Sequence, residues 1–61
     1  MILKIVNQDG SVEYTKVKDI VIKEKFIESY TKGVLPDYIY FKDVTSIDLY
    51  FYDNVDFIYP K

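Results

Sequence analysis

Cysteine, histidine, arginine, tryptophan and alanine are all absent from the chain. Without cysteine there is no disulfide staple, no thiolate metal site and no thiol nucleophile. The loss of histidine also removes the usual ligand of transition metals and the usual acid–base group near neutral pH. Glycine is scarce, and Gly10 and Gly33 alone cannot build a phosphate-binding loop. Ser11, Ser29 and Ser46 have no histidine to activate them. The expectation is a non-enzymatic protein with no catalytic residues, no metal site and no cofactor.

Long apolar runs are missing too. The longest aliphatic stretch is Ile20-Val21-Ile22, far short of the roughly 20 residues that cross a bilayer as a helix. Met1 leads directly into a strand-like run with Lys4 inside it, so no signal peptide is visible and the expected address is the cytoplasm. Heavy use of Ile, Lys, Tyr, Asp and Asn, with no Ala or Arg, fits an AT-biased coding sequence, as in a low-GC bacterium or its phage.

What is present fits one small domain spanning all 61 residues, since a chain of this size buries only about 60% of its unfolded surface. Eight lysines against ten acids give a net charge of -2. That balance is too mild to recruit nucleic acid from a distance. The charge is uneven: residues 1–32 hold six lysines and five acids, whereas residues 33–61 hold two lysines and five aspartates. The second half also carries eight of the eleven aromatic rings.

Val, Ile, Tyr, Phe and Thr account for 29 of the 61 residues, and these residues suit a pleated, half-buried surface. Residues 2–7 and 12–16 flank Asp9-Gly10, a strong hairpin signal. A two-residue turn and a three-residue turn with a bulge at Gly10 both fit. Tyr14, Val17, Ile20 and Ile22 share their spacing with Phe41, Val44, Ile47 and Leu49. In both segments the alternation breaks after the valine, which predicts a bend or bulge where the strand changes sheet position.

Residues 24–32 carry a helical signal: Phe26, Ile27 and Tyr30 fall on one face, Glu28 can pair with Lys32, and Gly33 is a stop. An extended reading of the same residues stays open. The fold class expected is α+β and β-rich: a small, mostly antiparallel sheet or partly open barrel of about five to six short strands, with one short helix near residues 24–32.

The last hairpin, read with a turn at Asp53-Asn54, places Tyr52 opposite Val55, Tyr50 opposite Phe57 and Asp48 opposite Tyr59. Its other face holds Ile47, Leu49, Phe51 and Ile58, so neither face is polar. Either both are core, or Asp48, Tyr50, Tyr52, Val55, Phe57 and Tyr59 form a protein interface. Domains below about 70 residues without disulfides or metal often gain stability by oligomerisation. The expected partner is therefore a protein, a second copy first and otherwise the target of a small inhibitor or adaptor.

A second reading is a small β-barrel nucleic-acid binder using the Lys16–Lys25 region, with Lys16, Lys18, Lys23, Lys25 and Tyr14 as contacts. Interleaved acids and the absence of arginine disfavour it. Asp43, Asp48, Asp53 and Asp56 lack the alternating ligands and turn glycine of a calcium loop, and read as turn and edge residues.

Overall fold

The branched and aromatic residues resolve into strands, with no α-helix. A computed structural model describes residues 1–61. Its elements are β1 (Ile2–Asn7), β2 (Val12–Lys16), β3 (Asp19–Ile22), β4 (Phe26–Tyr30), β5 (Asp37–Tyr40), a 3-10 turn (Phe41–Asp43), β6 (Val44–Phe51) and β7 (Asn54–Tyr59). Every pairing is antiparallel. The strands form two sheets, β2-β1-β6-β7 and β3-β4-β5, and neither closes into a barrel. The class is thus all-β rather than α+β, with seven strands instead of five or six. No helix is long and apolar enough to cross a membrane.

The helix expected near residues 24–32 is a strand. Ile27 and Ser29 point inward and are buried, while Phe26, Glu28 and Tyr30 alternate with them on the outer side. Two features concealed this period of two: the inward Ser29 is polar, and the outward Phe26 and Tyr30 are aromatic. Branched and aromatic residues fit two flanking strands better than an isolated helical turn.

One apolar cluster joins the sheets. Across β1 and β6, Leu3 faces Leu49 and Ile5 faces Ile47. Ile27 of β4 packs into the same cluster, with Val17, Val44 and Ile58 completing the buried set. Val17 and Val44 mark the two places where the chain moves between sheets. Val17 and Lys18 join β2 to β3, while the 3-10 turn leads from β5 into Val44. In the first segment the broken alternation is this corner. In the second it is a bulge: Asn7 pairs with Val44 and Val6 with Ser46, which leaves Thr45 extra and lets Val44 and Ile47 both point inward.

Both hairpin turns follow from local chemistry. The Gly10 N–H donates to the Asn7 carbonyl at 3.0 Å, the Asn7 N–H donates to the Ser11 carbonyl at 2.8 Å, and Gly10 has φ +89°. This is the three-residue turn with a glycine bulge. In the last hairpin, Phe51 pairs with Asn54, so the turn is Tyr52-Asp53 rather than Asp53-Asn54. Tyr52 takes φ +52° there. The pairs become Tyr50 with Val55 and Asp48 with Phe57, and a bulge at Ile58 brings Tyr59 opposite Ile47.

Candidate outer-face interface

Alternation along β1 and β6 sends Leu3, Ile5, Ile47 and Leu49 to the core and their neighbours to the outside of the four-stranded sheet. Three rows cross that outer face. Tyr14, Lys4, Asp48 and Phe57 form the central row, with Lys16, Ile2, Tyr50 and Val55 on one side and Val12, Val6 and Ser46 on the other. Seven of these eleven positions are apolar or aromatic. An antiparallel sheet with one wet face normally presents a polar surface there. Here Phe57 is 73% exposed and Tyr14 66%, while Lys4 and Asp48 stand half-buried between the two rings.

The structure brings together four of the six residues that the sequence nominated for an interface. Asp48, Tyr50, Val55 and Phe57 share the outer face. Tyr52 lies in the turn and is fully exposed, lining a shallow depression with Met1, Ile2, Tyr50 and Phe51. Tyr59 leaves the group, because the Ile58 bulge turns it toward Phe41, on which it stacks at 4.8 Å with a 1° interplanar angle. The expected opposite face of this hairpin is core: Ile47, Leu49 and Ile58 are buried, and Phe51 packs against them.

Sequence reasoning missed the other half of the face. Ile2, Lys4 and Val6 on β1, with Val12 and Tyr14 on β2, continue it across the sheet. The signal was the alternation of Ile2, Lys4 and Val6 with Leu3 and Ile5, but only the β1–β6 pairing joins it to Tyr50 and Phe57.

The lysines of the second reading separate. Lys16 and Tyr14 sit on the outer face, and Lys16 and Lys18 line a depression with Met1 and Val17. Lys23 and Lys25 lie in the β3–β4 turn and line different depressions. The aspartates scatter as well. Asp43 ends the 3-10 turn, Asp48 centres the outer face, Asp53 occupies the last turn and Asp56 lies on an edge strand.

Two groups titrate away from their ordinary values. The Ser11 hydroxyl, and then its backbone N–H, donate to Asp9 and lower its carboxyl pKa. Burial, followed by the negative charge of Glu28, raises the Tyr30 phenol, whose hydroxyl donates to Glu28 Oε1 at 3.3 Å. Neither lies on the outer face. No protein-family model, curated protein or solved structure matches the chain.

Proposed function

We propose that this is a non-enzymatic, cytoplasmic protein-interaction module, and that the outer face of the four-stranded sheet is its contact surface, with a second copy of the chain as the first partner. The observation that carries the reading is an exposed sheet face with Tyr14 and Phe57 flanking a half-buried Lys4 and Asp48. The buried hydrophobic core is only eight residues, and a core this small leaves stability to be gained by association.

Two features favour association through the face over association through strand edges. The edge strands of the four-stranded sheet carry acids on their core-side positions, Glu13 opposite Ile5 on β2 and Asp56 opposite Leu49 on β7. Such charges block edge-to-edge pairing. The face, in contrast, complements itself. A two-fold axis parallel to the strands, midway between β1 and β6, lays β1 of one copy over β6 of the other. Lys4 then meets Asp48 of the second copy, Asp48 meets its Lys4, and each Tyr14 meets a Phe57.

Light scattering after size exclusion, across a dilution series, tests the reading. Phe57→Ser removes about 2 kcal/mol of burial from each copy, and should raise the dissociation constant at least about a hundredfold with the circular dichroism unchanged. Charge exchange tests the geometry. Lys4→Glu and Asp48→Lys each weaken self-association alone, whereas an equimolar mixture forms a heterodimer with both charge pairs restored. The like-charge pairs within each chain persist in the mixture, so recovery there reports contact between copies. A chain that stays monomeric at high concentration rules out the second copy and makes this face the surface of an inhibitor or adaptor for another protein. Unfolding on Phe57→Ser would return the ring to the core and end the proposal.

A further inference from the structure

Away from that face, the β3–β4 turn, the 3-10 turn and the end of β7 surround an open cleft of about 580 Å³, with Lys25, Phe26, Tyr40, Phe41, Lys42 and Tyr59 among its walls. A neighbouring depression shares Glu24, Phe41 and Tyr59 and adds Lys23 and Lys61. Half of the eight lysines therefore gather here, with Glu24 as the sole acid along the two walls. This is a local excess of positive charge in a chain whose net charge is -2. Backbone bonds fix the arrangement: the Lys23 N–H donates to the Phe26 carbonyl at 2.8 Å, and the Phe41 N–H to the Lys25 carbonyl at 3.0 Å.

The rings form two groups. Phe26 lies 5.2 Å from Tyr40, tilted by 47°, and 5.6 Å from Tyr38, edge-on at 73°. Phe41 and Tyr59 stack in parallel. Tyr38 and Tyr40 remain exposed on the outer side of the three-stranded sheet.

We propose that this cleft and the depression beside it bind single-stranded nucleic acid, with a base stacked on the exposed Tyr40, which the half-buried Phe26 backs, and phosphates paired with Lys25 and Lys42 along the cleft and with Lys23 and Lys61 along the depression. An open aromatic face beside a cationic track, as Tyr40 offers here, is what sequence-tolerant single-strand binding uses. An acidic peptide would satisfy the lysines and leave the rings without a role. Lysine acts as a point charge rather than a bidentate fork, so phosphates are held without reading base edges. The overall acidity gives no long-range steering, but charges within about 10 Å still act at 0.1 M salt. The site does not depend on the self-association surface, and a dimer formed through the other sheet would carry two copies of it.

Fluorescence anisotropy of labelled oligothymidine and oligouridine at low salt is the test, with free adenosine monophosphate and polyglutamate as competitors. The expected result is binding to the oligonucleotides, with a slope of log affinity against log salt of about -3 if all four lysines pair with phosphates. Lys25→Glu with Lys42→Glu weakens it at least about tenfold, as does Tyr40→Ala, while Tyr40→Trp retains it. Lys18→Glu with Lys32→Glu, outside the cleft, leaves it unchanged, and circular dichroism checks each fold. Adenosine monophosphate competing as well as the oligonucleotide would overturn the strand in favour of a nucleotide. Polyglutamate binding equally well with Tyr40→Ala silent would overturn it in favour of an acidic protein. No binding at low salt, or equal loss from the distant lysines, would end the proposal.

Discussion

The backbone N–H groups of Val17 and Lys18, consecutive in the chain, donate to carbonyls in different sheets: Val17 to Met1 at 2.9 Å beside the four-stranded sheet, and Lys18 to Tyr30 at 2.7 Å in the three-stranded one. The corner thus ties both sheets through adjacent peptide groups. The Val17 side chain fills the angle between them at 5% exposure. Val44 fills the corresponding position where the chain returns, at 2%.

These two valines should therefore matter equally and strongly. Val17→Ala and Val44→Ala are each expected to cost about 2 kcal/mol, from lost burial and the cavity left behind. Val34→Ala, on a loop residue that is 89% exposed, should change stability by less than about 0.5 kcal/mol. Urea unfolding of the three variants decides it, and equal losses in all three would remove the corners' special role.

Gly10 and Tyr52 are the positions of positive φ, at +89° and +52°. A Cβ at Gly10 would meet nothing within 4 Å, so Gly10→Ala isolates the backbone effect and should destabilise by about 1 kcal/mol. Gly33 is equally open and has no such φ, so Gly33→Ala should be neutral or stabilising by up to about 1 kcal/mol. Tyr52→Asn should also stabilise slightly, because asparagine tolerates the left-handed region better than a bulky side chain. Thermal melts rank the three, and a Gly10→Ala melt at or above the parent temperature contradicts the turn geometry.

The two shifted groups act at opposite ends of the pH scale. The folded-state pKa of Asp9 lies below its ordinary 3.8, so its contribution is present above that value and is lost as pH falls through the lowered one. Asp9→Asn should therefore flatten the acid limb of the stability profile. Tyr30 is raised above 10.0, so its contribution is complete below that pH and is lost as pH rises through the raised value. Tyr30→Phe should keep more of its urea midpoint than the parent does above about pH 10. Matching alkaline limbs in parent and variant would show that another group controls the loss.

The first hairpin was legible because Asp9-Gly10 fixes a turn through one residue's φ and one side chain's hydrogen bonds, both local. The bends after Val17 and Val44 were legible as breaks in alternation, although the spacing alone did not separate a corner from a bulge at Thr45. Residues 24–32 misled because Ser29 is buried without being apolar, while Phe26 and Tyr30 are apolar on the outer side. The last turn slipped because Tyr52 occupies a conformation that turn statistics assign to glycine or asparagine. Half of the outer face was invisible for a different reason. Ile2, Lys4 and Tyr14 belong beside Tyr50 and Phe57 only through the β1–β6 ladder, a long-range pairing that no local window contains.

That ladder also orders events in time. The three-stranded sheet joins strands that follow one another along the chain, so it needs only short loops to close. The centre of the four-stranded sheet instead waits for Leu49 to reach Leu3 from the far end. Synthesis at about 5–20 residues per second delivers β1 and β2 seconds before β6, and through that interval the β1 edge has no neighbour, while a lone two-stranded hairpin is only marginally stable in water. The nascent protein thus passes through a period in which its future centre is an open strand, and β6 is the segment whose arrival ends it.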